Sequence, residues 1–194
     1  MKIISDLLLT ALYTVFIQNF VMCSGLGLSE AIRVSARPGY FIKFAAMISG
    51  FSTFTSVACT LIGKNTALLT SYAIKAAVYG GVLAGAYLIV AIFVRIITKD
   101  KELLGILGIS ALNTLVYAVP YINDSAAYSL ADSIGSGLGA GIAFVLAAAL
   151  IRSGTKKLEQ NKYIPAVFKG TPVMFLYVGI LALGFSGFTG STLF

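Results

Sequence analysis

Between Leu7 and Phe188 the chain is a series of apolar runs broken by short polar connections, and this pattern decides what it can fold into. A helix needs about 20 apolar residues to cross a bilayer. Six stretches meet that length: about Leu7–Leu28, Gly39–Ile62, Tyr72–Ile97, Leu103–Ile122, Tyr128–Ile151 and Thr171–Phe188. None alternates with period two, as a barrel strand would. Helices also satisfy every backbone amide inside the lipid. The expectation is an all-α integral membrane protein with six transmembrane helices. The connections are too short for a separate extramembrane domain, so residues 1–194 form a single membrane domain.

Charge agrees with this. Among 194 residues there are 14 Lys+Arg and 7 Asp+Glu, and 58% of residues are hydrophobic. The net charge of +7 does not point to nucleic acid, because the basic residues sit in the connections rather than in one patch. Connections after spans 1, 3 and 5 hold Arg33, Arg37, Arg95, Lys99, Lys101, Arg152, Lys156, Lys157, Lys162 and Lys169. The opposite side holds Lys2, Lys64 and Lys75. By the positive-inside rule the first side is cytoplasmic. Both termini then lie outside the cytoplasm of a bacterial-type inner membrane. The Lys2-led N-terminus has no small-residue cleavage site and reads as a retained first span.

An odd number of spans per half means that a duplicated second half inserts upside down. Span 1 carries Gln18-Asn19 and span 4 carries Asn113-Thr114, each midway along its run. An offset of 94 residues superposes Asn19 on Asn113. The architecture expected is two inverted three-helix repeats, about 1–98 and 99–194, with polar sites at the midplane between them. Each asparagine has two readings. It bonds a neighbouring helix, or it lines an ion, electron or solute site.

Other candidates are weaker. With no His and two Cys, the usual His/Cys zinc or haem sites are not expected. Cys23 lies near one end of span 1 and Cys59 near the opposite end of span 2, about 20 Å apart in depth. They form neither a disulfide nor one joint cluster. Unpaired, each reads as a small hydrophobe, with Cys23 the one candidate metal ligand. The run Gly135-Ser136-Gly137-Leu138-Gly139-Ala140-Gly141 lies inside span 5, with no strand before it. It reads as a close-packing face rather than a phosphate loop. Gly80, Gly81 and Gly85 suggest a similar face in span 3. Lys43 and Lys75 can snorkel, and Asp124 and Asp132 flank the mouth of span 5.

The stretch Ile164-Pro165-Ala166-Val167-Phe168-Lys169-Gly170 leads into a last span ending Gly184-Phe185-Ser186-Gly187. It resembles the signature of the six-helix membrane subunits of the Rnf complex and of the sodium-pumping NADH:quinone oxidoreductase. Asn19-Phe20-Val21 with Gly27-Leu28 is similar to the family's first-span motif. Leu103-Leu104-Gly105-Ile106 followed by Asn113 is similar to its fourth-span motif. Outward termini favour the RnfA/NqrE type. The resemblance implies pairing with a homologous six-helix subunit beside other membrane subunits of a redox complex. It also implies a [2Fe–2S] cluster in the membrane, to which each chain of the pair gives two cysteines. Here the family cysteine after Gly-Leu aligns with Ser29. The one after the span-4 asparagine aligns with Thr114, or with Leu115 if the register slips by one. Cys23 stands six residues early, about 9 Å along a helix.

The expected function is therefore a membrane subunit of an Rnf/Nqr-type electron-transport, ion-translocating complex, without a complete cluster of its own. Asn19, Asn113, Ser29 and Thr114 would mark the relay site. The alternative is a small-solute, vitamin-type transporter or its substrate-binding membrane subunit. A purely structural homo-oligomer built on glycine faces is a third reading.

Overall fold

The computed structural model describes residues 2–65 and 71–189, and within them every regular element is helical. In chain order these are α1 (Lys2–Leu12), a π turn (Tyr13–Ile17), α2 (Phe20–Ser24) and α3 (Leu28–Ser35). A 3-10 turn (Pro38–Tyr40) then leads into α4 (Phe41–Asn65), followed by α5 (Tyr72–Ile97), α6 (Lys101–Ala111) and α7 (Thr114–Ser125). Last come α8 (Leu130–Gln160), a 3-10 turn (Ala166–Phe168) and α9 (Thr171–Phe188).

Five stretches are long and apolar enough to cross a membrane: Pro38–Gly63, Tyr72–Ile97, Lys101–Ser125, Leu130–Gln160 and Thr171–Phe188. A shorter apolar helix covers Ile3–Ile17. The protein is thus an all-α, multi-pass membrane protein. The expected first span, Leu7–Leu28, is not one helix. The π turn ends with the Gln18 N–H on Tyr13 O, and the chain then breaks at Asn19. Gly25 and Gly27, at φ +68° and +72°, break it again. Span 4 is likewise split between α6 and α7 at Leu112-Asn113.

α8 is the central post. Along it, glycines two apart face opposite neighbours. A Cβ at Gly139 would lie 2.9 Å from Ala11 O of α1, and one at Gly141 would lie 2.7 Å from Ala45 O of α4. Gly135 meets Leu7 of α1, and a Cβ at Gly137 would lie 2.5 Å from Thr53 Cα of α4. Small residues at this spacing let three backbones approach closely where lipid offers no hydrophobic drive for association. The expectation for span 3 does not hold. A Cβ at Gly81 or Gly85 would meet nothing within 4 Å, and one at Gly80 would make only an ordinary contact with Tyr117. Spacing alone does not tell a packed face from an open one.

The contacts fix helix directions and gather charge at one end. Arg152 Nη1 donates to Ser35 O at 3.0 Å, tying α8 to the C-terminus of α3, and Lys43 pairs with Glu102 at 3.7 Å. Arg33, Arg37 and Lys101 line one cavity at this end, and Arg95 and Lys99 line another with Lys101. At the other end Lys75 pairs with Asp124. There Asp132 closes a capping box with Ser129 and accepts from Thr10 Oγ1 at 2.9 Å. The side chains of Lys2 and Lys64 lie outside the described residues.

Candidate functional site at the two helix breaks

Both asparagines are buried, Asn19 fully and Asn113 to 3% exposure. Each stands at the N-cap of the half-helix after a break. Asn19 Oδ1 accepts from the N–H groups of Val21 and Met22, both at 3.1 Å. Its Nδ2 donates to Val15 O at 3.1 Å and to Ala143 O of α8 at 3.4 Å. The side chain thereby replaces the hydrogen bonds that the broken backbone forgoes, which nothing in lipid could otherwise do. Asn113 makes one such bond against the four of Asn19. Its Oδ1 accepts from Leu115 N–H at 2.9 Å, while its Nδ2 is buried with no partner.

The break at Gly25 and Gly27 meets the one at Asn113. The Gly27 N–H donates to Thr114 Oγ1 at 2.9 Å, and a Cβ at Gly27 would lie 2.8 Å from Asn113 Oδ1. Residues 27, 113 and 114 thus form one junction. Asn19 stands off it, against α8. Ser29 lies two residues beyond Gly27, exposed, with its hydroxyl donating to the Glu30 carboxylate. Thr114 is also exposed, whereas Leu115 is fully buried. Cys23 is half-buried on α2, its thiol 3.8 Å from Ile17 O, and Cys59 is buried on α4; both are free thiols. Among the described residues no three His, Cys, Asp or Glu side chains gather as a metal site.

Sequence reasoning missed the glycines of this junction. Gly25 and Gly27, two apart after an asparagine in an apolar run, are the available signal for a helix break. It also missed a buried polar seam toward the other end. Asn123 Nδ2 donates to Ser56 Oγ at 2.6 Å, and the hydroxyls of Thr60 and Ser133 are 2.9 Å apart. Beyond it, in the connection before α8, burial raises the Tyr128 phenol above its ordinary value, aided by Tyr13 and Asp132.

Comparison with known proteins decides the family. The family model described as "Rnf-Nqr subunit, membrane protein" matches residues 7–192. The chain belongs to the Rnf-Nqr family. Among its relatives is the A-type subunit of the ion-translocating oxidoreductase complex of Rhodobacter capsulatus, 31% identical over 95% of this chain and 97% of that protein. The protein of the same name from Colwellia psychrerythraea is 30% identical over 96% and 97%. The A-type subunit of the Na(+)-translocating ferredoxin:NAD(+) oxidoreductase complex of Acetobacterium woodii is 25% identical over 92% and 94%. The chain is a membrane subunit of the Rnf/Nqr type, and these matches do not favour the vitamin-transporter alternative.

The donor set can be tested against the cluster that the resemblance implies. Iron–sulfur clusters of this kind are held by thiolates. The aligned positions offer two alcohols, one bound to a carboxylate and one accepting a backbone N–H. Neither is a thiolate, and Cys23 sits on a different half-helix from both. The residues present do not fit the group.

Proposed function

We propose that the chain fills the place of the A-type subunit in an ion-translocating oxidoreductase complex, as a scaffold that does not complete a [2Fe–2S] site of its own. It crosses the membrane six times in two inverted halves, about 1–98 and 99–194, with both termini outside the cytoplasm. It pairs with a homologous six-helix subunit. Asn19 and Asn113 hold the two breaks open, and Ser29 and Thr114 mark the lateral face where the pair would meet.

One observation carries this reading: the Gly27–Thr114 hydrogen bond joins the glycine break that follows α2 to the asparagine-capped break between α6 and α7. Discontinuous helices meeting between inverted halves are how such scaffolds build midplane sites. The basic end, holding the C-termini of α3, α5 and α8, supports the orientation.

The test is purification of the tagged chain with its native partners in mild detergent, followed by iron, acid-labile sulfide and EPR measurements. A homologous six-helix subunit should co-purify, with less than one cluster per pair. Stoichiometric iron that disappears in Cys23→Ser would make Cys23 a ligand and overturn the cluster-free reading. Absence of any homologous partner would overturn the pairing.

A further inference from the structure

The sequence builds a groove that the helix breaks do not use. Between α4, α5 and α6 lies a cavity of about 440 Å³ walled by Met47, Phe51, Val90, Val94 and Leu107, among other apolar residues. Gly50 leaves it open, since a Cβ there would meet nothing within 4 Å. At its rim Phe54 and Ile89 are exposed, at 55% and 70%. This is the volume of a small-ligand pocket without the polar groups that would orient a soluble ligand.

The polar groups stand at one end only. A second cavity, of about 370 Å³, is lined by Arg95, Lys99, Asp100, Lys101 and Leu104. The two cavities have no lining residue in common, but both are walled by α5 and α6. Val94 of the first adjoins Arg95 of the second, and Leu107 lies one turn of α6 from Leu104. The three cations are exposed, and among the described residues none makes a salt bridge. The single carboxylate there, Asp100, is committed to capping α6 through the N–H groups of Glu102 and Leu103, at 2.8 and 3.2 Å.

Lys99 adds an independent observation. It follows the C-terminus of α5 at φ +53°, with its N–H on Val94 O at 3.1 Å. Glycine is the ordinary residue in that conformation, which disfavours any side chain. The chain keeps a lysine there, at the wall of the basic cavity.

We propose that the groove and the basic cavity form one binding site for a diacyl glycerophospholipid with a net negative headgroup. One acyl chain lies between α4 and α5, and the phosphate sits among Arg95, Lys99 and Lys101. Apolar walls with cations at one end match that amphiphile and give a zwitterionic lipid no advantage. Basic pockets between membrane helices bind anionic headgroups in this way.

The test uses the delipidated complex and native mass spectrometry, with phosphatidylglycerol and phosphatidylcholine of identical acyl chains in competition. The wild type should retain phosphatidylglycerol with a preference on the order of tenfold or more, at about fivefold for each cation near the headgroup. Arg95→Gln/Lys99→Gln/Lys101→Gln should bring that preference close to unity. Gly50→Leu should weaken retention of both lipids alike. Lys99→Gly separates binding from folding. It relieves the backbone, so the lipid-free complex should melt higher, and it should still lose preference several-fold. Equal retention by the wild type, or an undiminished preference in the triple variant or in Lys99→Gly, would overturn the proposal. So would a photo-crosslinker at Ile89 that captures a neighbouring protein instead of lipid.

Discussion

The backbone N–H of Gly27 donates to Thr114 Oγ1 at 2.9 Å, across 87 residues of sequence, and so locks the two broken helices to each other. Removing the acceptor leaves an N–H without a partner beside the membrane interior, at a cost of about 1–3 kcal/mol. Thr114→Val should therefore melt below wild type in detergent, while Thr114→Ser should stay close to it. Gly27→Ala should be worse than Thr114→Val. It adds the penalty for a left-handed residue, about 1–2 kcal/mol, and pushes on Asn113. Thermal unfolding followed by size-exclusion fluorescence reads all three, and equal melting of the Val and Ser variants would refute the role of the bond.

The asparagines are not equivalent, although each N-caps the half-helix that follows a break. Asn19 makes four hydrogen bonds, whereas Asn113 makes one and leaves Nδ2 unpaired. Losing a cap costs about 0.5–2 kcal/mol, and each backbone group stranded in lipid costs more. Asn19→Ala should then depress folded yield well below Asn113→Ala. A larger loss from Asn113→Ala would show that its free N–H has a partner, which the assembled complex would have to supply.

Glycine substitutions along α8 should divide sharply from those along α5. At Gly137 and Gly141 a methyl would collide with the backbone of α4, which cannot turn aside as a side chain can. Overpacking of this kind costs about 1–3 kcal/mol or more. At Gly81 and Gly85 a methyl enters open space, and alanine is the better helix former by about 1 kcal/mol. Gly141→Ala should destabilise and Gly85→Ala should not. Measuring both in one background checks the contrast directly.

How much of this was legible depends on which physics the sequence exposes. Hydropathy sets where a helix can lie in lipid, so Tyr72–Ile97 and Thr171–Phe188 match the expected spans residue for residue. It is blind to whether the helix is continuous. Asn19 in an apolar run reads as one polar point, whether it decorates an intact helix or caps a broken one. Only the backbone distinguishes these cases, since Gln18 at ψ +56° and Asn19 at ψ +103° leave the helix, and sequence does not print a dihedral angle. Leu28–Ser35 reads as an exit into the charged connection. It is in fact the amphipathic α3, whose Ala31 and Val34 bury against the core while Arg33 stays exposed. Ser29 and Thr114 were found by alignment with a motif, and nothing in their own chemistry would have singled out two hydroxyls.

Those two hydroxyls allow the proposed function to be tested by gain rather than loss. Ser29 and Thr114 are both exposed, and both belong to the segments that meet at Gly27. If they stand where relatives of this fold hold thiolates, Ser29→Cys/Thr114→Cys restores the missing donors and keeps both asparagine caps, while sulfur replaces the oxygen that accepts from Gly27 and lowers the melting temperature. Expressed with its partner subunit, the double variant should acquire about two irons per pair, with acid-labile sulfide and the EPR signal of a reduced [2Fe–2S] centre. Either single variant should remain well below that level, because one thiolate short leaves the set incomplete. A double variant that assembles normally yet stays iron-free would remove Ser29 and Thr114 from the relay face. The meeting of the two helix breaks would then be a structural joint alone.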